Sequence, residues 1–402
     1  MADAPALDHD TIERSEALGG PILIALSGGG DSTALLHLMA ARFGAKRLLA
    51  VVVDHALRDG SADDAARAGG CARGLGVAVK IVHLAWPRGP RRAQADTREA
   101  RYRALAEAAR AAGAKVIALG HTRDDQAETV LLRAARGSAW RGLAGMRAFS
   151  PAPIWPEGRG LWLARPLLGV RREALREFLR HKGAAWIEDP ANSNRNYARV
   201  RVRERLAALA QSGLDPMRLA ALAESLAPRA TALDRAAASL IQEAARFDDD
   251  RVLIALEAWR GDNAVREHAL GALIAAAGGA ARAPDAEAVA ALARDTEARD
   301  FKAATLGGAL IRRSRDGLTL TRDPGALKGR ADGAPAPAPM QLPAGQEAIW
   351  DGRLALTLAE PDWAVYTENG APVLAQGETR AAIAAAQPRW LLAERAAHWL
   401  GV

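Results

Sequence analysis

Along residues 21–119 the hydrophobic positions follow two patterns that take turns. Ile22 to Leu26, Leu48 to Val53, Ala78 to Leu84 and Lys115 to Leu119 are short runs rich in aliphatic residues, bounded by glycine, proline or polar positions. They are too short for helices and predict strands of a buried parallel sheet. Between them, residues 32–43, 61–74 and about 97–113 repeat apolar positions at helical spacing, with Thr97 placed to cap the third. Strand and helix patterns that alternate predict an α/β fold: a parallel, Rossmann-like sheet with helices on both faces. Further helices are predicted from about Arg123, from Arg171 to Lys182, and from Tyr197 onward.

The pattern changes past about Leu206. Alanine-rich helical stretches run to about Leu226, then from Pro228 to Phe247, Asp262 to Ala277 and Pro284 to Arg294. Pro228 and Pro284 both suit a first helical turn, where no backbone donor is needed. Short alternating runs at Ala309–Arg313 and Leu318–Arg322 predict a small hairpin. The Ala/Pro/Gly-rich stretch 325–345 suggests a linker or long surface loop. The expected organisation is a nucleotide-binding domain at 1–210, a mainly helical substrate-binding domain at 211–324, the linker, and a small C-terminal unit at 346–402. Trp350, Trp363, Trp390 and Trp399 are read as core of that last unit, because an aromatic serves packing first.

Composition narrows the function classes. The chain has 402 residues, 50% of them hydrophobic, but much of that half is alanine, which supports helices more than it specifies them. Its formal charge of +7 and sequence pI near 10.0 suggest a polyanionic partner. The charge is concentrated: from Arg133 to Arg205, 16 basic residues stand against 6 acids, a net +10. A single cysteine, Cys71, excludes an internal disulfide and a Cys-x-x-Cys sulfur relay or metal site. The acidic N-terminus does not read as a secretory signal, and no apolar run approaches a membrane span. A soluble, cytoplasmic protein is expected.

Two stretches carry chemistry. Ser27-Gly28-Gly29-Gly30-Asp31-Ser32 joins the first strand to the first helix. Glycines let backbone N–H groups approach an oxyanion, the helix start adds orphan donors, and Ser27 and Ser32 supply hydroxyls. The loop suits a phosphate, although it has neither the Gly-Lys-Ser/Thr of the common phosphate loop nor the dinucleotide fingerprint. Asp54 and His55 stand at the tip of the second strand, the edge where doubly wound sheets bind ligands. The second stretch, His121 to Met146, follows Gly120 at the tip of the fourth strand. Asp124, Asp125 and Glu128 crowd the first turns of its helix, with Glu128 able to share a face with either aspartate. Capping accounts for one or two of these acids, but not for all three beside a strand-tip histidine. Carboxylates near a phosphate loop are what Mg²⁺ needs to bridge ATP.

Together these motifs resemble the tRNA(Ile)-lysidine synthetases, a family of PP-loop (N-type ATP pyrophosphatase) enzymes. The resemblance rests on SGGGDS at 27–32, VDHALR at 53–58, REARY at 98–102 and HTRDDQAET at 121–129. It continues with RGSAWRGLAGM at 136–146, RPLL at 165–168 and EDPANSN at 188–194. The segment after Gly137 is less glycine-rich than in the family, and an Arg-Asn pair usual there is Arg199-Val200 here. The resemblance implies an adenine nucleotide alpha hydrolase-like fold and ATP-dependent joining of L-lysine to the wobble cytidine of a CAU-anticodon isoleucine tRNA. It implies ATP and Mg²⁺ as cofactors, with Asp31, Asp124 and Asp125 as metal ligands and Asp31, Asp125 and Glu128 as catalytic residues. ATP would lie on Ser27, Gly28, Gly29, Gly30, Asp31, Ser32, Asp54, His55, Gly120 and His121. Arg165, Arg199, Arg201 and Arg203 would hold tRNA phosphates. No membrane partner is implied, and a homodimer is the one protein partner in view.

Overall fold

The computed structural model describes residues 4–56, 59–86, 94–188, 198–211, 213, 215–279, 284–298, 300–315, 317–329 and 336–401. The chain forms two compact units, Met1–Ala230 and Thr231–Val402. No helix among the described residues is long and apolar enough to cross a membrane.

The first unit opens with helix α1 (His9–Ala17), capped by the Asp8 carboxylate on the Thr11 N–H, and strand β1 (Ile22–Ala25). Then follow α2 (Gly30–Phe43), β2 (Leu48–Asp54), α3 (Ser61–Gly74), β3 (Ala78–His83), α4 (Gln94–Ala111) and β4 (Val116–Ala118). Apart from α1, which the sequence reading did not predict, these are the predicted strands and helices, with a further difference. Thr97 lies inside α4, which already runs at Gln94, so it is not the cap. Next come α5 (Arg123–Ala134), the single turn α6 (Trp140–Leu143), β5 (Phe149–Pro151), β6 (Trp162–Ala164), α7 (Arg172–His181), α8 (Ala198–Gln211) and α9 (Pro216–Ala244).

The six strands form one sheet in the order β3-β2-β1-β4-β6-β5, parallel except for the β5 edge. Side chains alternate across it, as the period of two requires. Ile22, Ile24, Ala50, Val52, Val116 and Ala118 enter a core with α2, α3 and α7. Leu23, Ala25, Val51 and Ile117 enter a second core under α4 with Tyr102, Leu105 and Ala109. Burial on both faces explains why these strands read as nearly unbroken apolar runs. The chain leaves β1 toward β2 on one side and reaches β4 on the other. The C-terminal ends of β1 and β4 therefore flank a topological switch point, where such sheets open a crevice. The phosphate loop and the start of α5 sit at those two ends.

Helices α8 and α9 pack on α5 through Ala127, Val130, Val202, Leu206, Leu219 and Ala223. Val202 and Leu206, four apart, are buried, while Arg201 and Arg205 are exposed. Pro228 does not open a helix. It lies within α9, where it forfeits one backbone hydrogen bond of the ladder.

In the second unit a five-stranded antiparallel sheet of Ala245–Asp248, Arg251–Ala255, Gly317–Arg322, Ala309–Arg313 and Ala303–Leu306 surrounds the predicted hairpin. It shares a core with the helices Asn263–Gly278 and Ala286–Glu297, each capped by an aspartate, Asp262 and Asp285. Pro284 thus stands one residue before the cap rather than in the first turn. The expected linker begins with a short helix, Pro324–Lys328, and its described far end enters a four-stranded sheet at Met340–Gln341. Trp350 is 1% exposed at the centre of the last core.

Candidate active site

Gly28 turns the chain out of β1 at φ +82°, a left-handed conformation that favours glycine. Ser32 then ties the loop together. Its Oγ donates to the Gly29 carbonyl at 3.0 Å, accepts the Ser27 N–H at 3.2 Å and meets Ser27 Oγ at 3.0 Å. Gly29 is the N-cap of α2 and offers no side-chain acceptor, so the first N–H groups of that helix remain for an anion. Gly120 closes the other bank. A Cβ there would lie 2.9 Å from the Asp31 carbonyl oxygen and 3.0 Å from Ser32 Cα, both backbone atoms. A Gly120→Ala variant is expected to displace the phosphate loop and lower ATP turnover by about 100-fold, since a shift of about 1 Å can cost that much. AMP release at saturating ATP measures it, and a change under twofold would show that the two loops can separate freely.

Thr122 caps α5, accepting the Asp125 N–H while Asp125 Oδ2 accepts the Thr122 N–H at 2.8 Å and hydroxyl at 2.9 Å. The capping box is real, yet Asp125 also keeps Oδ1 for another partner. That partner is Arg172, at the first turn of α7. Its Nε donates to Asp31 Oδ2 at 3.0 Å, Nη2 donates to Asp125 Oδ1 at 2.9 Å, and Nη1 lies 3.6 Å from Glu128 Oε1. One guanidinium therefore spans three carboxylates contributed by α2 and α5. Arg203 of α8 reaches Glu128 Oε1 from the other side at 2.6 Å. Glu128 is 2% exposed, and its Oε2 is a buried oxygen with no hydrogen-bond partner.

Burial and charge compete at these acids. Burial pushes Asp31 above the usual carboxylate range, and Arg172 offsets this only in part. Burial acts the same way on Asp125, but Arg172, His121 and the two Thr122 donors outweigh it and hold that carboxyl low. The same acids raise the pKa of Arg172 despite its own burial.

Asp31, Asp125, Arg172 and Arg203 border a cleft of about 530 Å³, whereas the buried Glu128 is not among the described residues lining it. Ser27, Gly29, Gly30, Asp31 and Ser32 form one wall, Gly120, His121 and Asp125 another, with Arg101, Arg172, Arg176 and Arg203 around them. Trp186, Ile187 and Glu188 close it: the Ile187 N–H donates to the Gly28 carbonyl at 2.9 Å, and Trp186 Nε1 donates to Glu188 at 2.8 Å.

The structure puts several expected residues to other uses. Asp124 is not among the described residues lining the cleft; its Oδ2 accepts the Arg172 N–H at 2.8 Å and caps α7. Asp54 and His55 also lie outside that lining. Asp54 binds His83 Nδ1 at 3.0 Å and the Ala56 N–H at 2.9 Å, while burial and then Arg101 push His55 toward its neutral form. Arg165 is a correction. At 6% exposed, with its guanidinium on the Arg147 carbonyl and Ser150, it is an internal brace and not a surface contact for phosphate. Burial, together with Arg98 and Arg133, lowers its pKa. Arg201 is exposed and Arg203 lines the cleft. The Arg199 side chain, Arg58 and residues 189–197 lie outside the described residues.

A phosphate loop facing paired carboxylates at the switch point of a parallel sheet defines an ATP-using enzyme of the PP-loop class. A family profile described as the PP-loop domain matches residues 11–210. A tRNA(Ile)-lysidine synthase of Hyphomonas neptunium is 38% identical over 317 residues, covering 77% of this chain and 83% of its own. One from Mesorhizobium japonicum is 39% identical over 378 residues, covering 89% and 76%, and one from Caulobacter vibrioides is 36% identical over 388 residues, covering 95% and 84%. The chain belongs to the tRNA(Ile)-lysidine synthase family.

Proposed function

We propose that the chain joins free L-lysine to C2 of the wobble cytidine of a CAU-anticodon isoleucine tRNA in the cytoplasm, converting ATP to AMP and pyrophosphate. The observation that carries this beyond family membership is the three-carboxylate, one-guanidinium cluster in which Arg172 joins Asp31 of the phosphate loop to Asp125 and Glu128 of α5. The loop N–H groups and the Ser27 hydroxyl hold the phosphates that leave as pyrophosphate, while Ser32 braces the loop. The cytosine O2 attacks the α-phosphate, and the adenylated base then carries an activated C2. The lysine ε-amine attacks that carbon and AMP departs.

The second step needs an uncharged amine at the reacting carbon, held by groups that first welcome its ammonium form. Asp31, Asp125 and Glu128 supply that environment. Their ability to hold a cation is visible in Arg172, and Glu128 Oε2 is a buried acceptor with no hydrogen-bond partner. Asp31, with its raised pKa, is the best placed of the three to accept the proton lost by the amine. Mg²⁺ is a hard cation that takes carboxylate oxygens: Asp31 and Asp125 line the cleft beside the loop and would hold the ion in place of their Arg172 contacts. When bound, Mg²⁺ supplies charge neutralisation for the departing pyrophosphate. Arg203 on the cleft rim and exposed Arg201 on α8 are suited to backbone phosphates of the anticodon loop, which delivers an unpaired base at low cost.

The order of steps is testable. With transcript and ATP but no lysine, labelled pyrophosphate is expected to exchange into ATP, because adenylation precedes the amine. Exchange that requires lysine, or proceeds without RNA, contradicts this scheme.

A further inference from the structure

The segment after α5 is held more firmly than a surface connection needs. Arg133 Nη1 donates to the Gly142 carbonyl at 2.8 Å and the Gly145 carbonyl at 2.7 Å. Gln126, one residue past Asp125, clamps Met146 from both sides: its Nε2 donates to the Met146 carbonyl at 2.8 Å and its Oε1 accepts the Met146 N–H at 2.7 Å. The turn is tight enough that a Cβ at Gly145 would meet Gln126 Oε1 at 2.6 Å and one at Gly142 would meet Ser138 Cβ at 2.7 Å.

On this braced turn stands Trp140, 42% exposed. Among the described residues only Met217 and Leu222 share its status as large exposed hydrophobic side chains. A single exposed apolar residue is ordinary, but this one has cationic surroundings. Arg136 is exposed and Arg141 follows in sequence. Arg133, its own hydrogen bonds spent on neutral carbonyls, has its pKa lowered by burial and then by Arg141 and Arg98. An exposed aromatic next to arginines in sequence, on a turn braced by side-chain hydrogen bonds, has the composition of a single-stranded nucleic acid platform. The turn that carries it is tied through Arg133 to α5, the helix of Asp125 and Glu128. Arg133 is eight residues beyond Asp125, about 12 Å along α5.

We infer that Trp140 is a stacking platform for an unpaired base of the tRNA substrate, a neighbour of the base that enters the cleft, with Arg136 and Arg141 on the adjoining phosphates. This rests on the RNA-modifying function proposed above, and it concerns a position where this chain carries tryptophan in an otherwise glycine-rich stretch.

The test is binding of a fluorescently labelled CAU anticodon stem-loop RNA to the full chain, alongside lysine transfer. Trp140→Ala is expected to weaken binding by about tenfold, the loss of one stacked base, and Trp140→Phe to recover most of it. In turnover the defect falls on the KM for RNA rather than on kcat. Unchanged binding by Trp140→Ala overturns the platform. Equal losses in the Ala and Phe variants with a lower melting temperature also overturn it, since they mark a structural residue. If sedimentation shows that Trp140→Ala abolishes self-association instead, the face belongs to a second copy of this chain and the inference is wrong. Absence of lysine transfer in the wild type, with stem-loop binding still dependent on Trp140, leaves the platform standing and removes the proposed reaction.

Discussion

An Arg172→Ala variant is expected to be less stable than the wild type by about 3 kcal/mol at pH 7, the lower end of the cost of breaking a buried charge pair. Arg172 is 19% exposed, and Asp31, Asp125 and Glu128 are 24%, 8% and 2% exposed, so solvent screens the cluster weakly. Without the guanidinium, Arg203 on Glu128 is the one ion pair left to the three acids among the described residues. The sign of the pH dependence follows from the carboxyl groups. In the wild type Asp125, held below its ordinary value, adds stability that is present above the unfolded pKa of about 3.9 and lost as the pH falls through its lower folded value. Asp31, pushed up by burial, has the opposite sign, contributing below the ordinary range and losing that contribution as the pH rises. Removing Arg172 moves Asp125 toward the Asp31 case. The gap between variant and wild type is therefore expected to narrow from pH 7 to pH 5. Urea unfolding at the two pH values measures it, and an equal midpoint for both proteins at pH 7 would show that the cluster is not held together by this residue.

Asp125→Asn is expected to leave the fold nearly intact and to lower lysine transfer by about 1000-fold. The amide keeps an oxygen for the Thr122 N–H and hydroxyl, so the start of α5 survives. What it loses is a full negative charge beside Asp31 and an acceptor for Arg172. Electrostatic and general-base contributions of this kind are worth about 100- to 10,000-fold each. Asp31→Asn is expected to behave similarly. The measurement is single-turnover lysine transfer with saturating tRNA, ATP and Mg²⁺. Unchanged turnover in both variants would remove these carboxylates from the chemistry.

Much of the first unit was legible because two periodicities separate cleanly there. The runs Ile22–Leu26 and Leu48–Val53 are buried on both sides and therefore read as strands, and glycine and proline mark their ends. The phosphate loop was legible because three successive glycines have few other physical reasons to exist. Arg172 was not singled out, since an arginine among many in a basic segment carries no periodic signal. One local clue existed: a cation at the first turn of a helix opposes the helix dipole, which prefers acids there. Its three carboxylate partners are what offset that cost, and they come from elements 44 to 141 residues away in sequence. Arg165 was misplaced for a related reason, because sequence reports its charge but not the carbonyl it braces. Pro228 looked like a helix start, yet packing of α9 on both of its sides sustains the helix through the missing donor. In the second unit, alanine-rich composition matched helices well and hid the strands Ala245–Asp248 and Ala303–Leu306, since alanine fits a covered strand as readily as a helix.

Incorporation of labelled L-lysine into a CAU-anticodon isoleucine tRNA transcript, with AMP and pyrophosphate followed in the same reaction, reads the proposed chemistry itself. Labelling is expected to require ATP and RNA, with one AMP and one pyrophosphate released per lysine joined. AMP release without any transfer of lysine would contradict it.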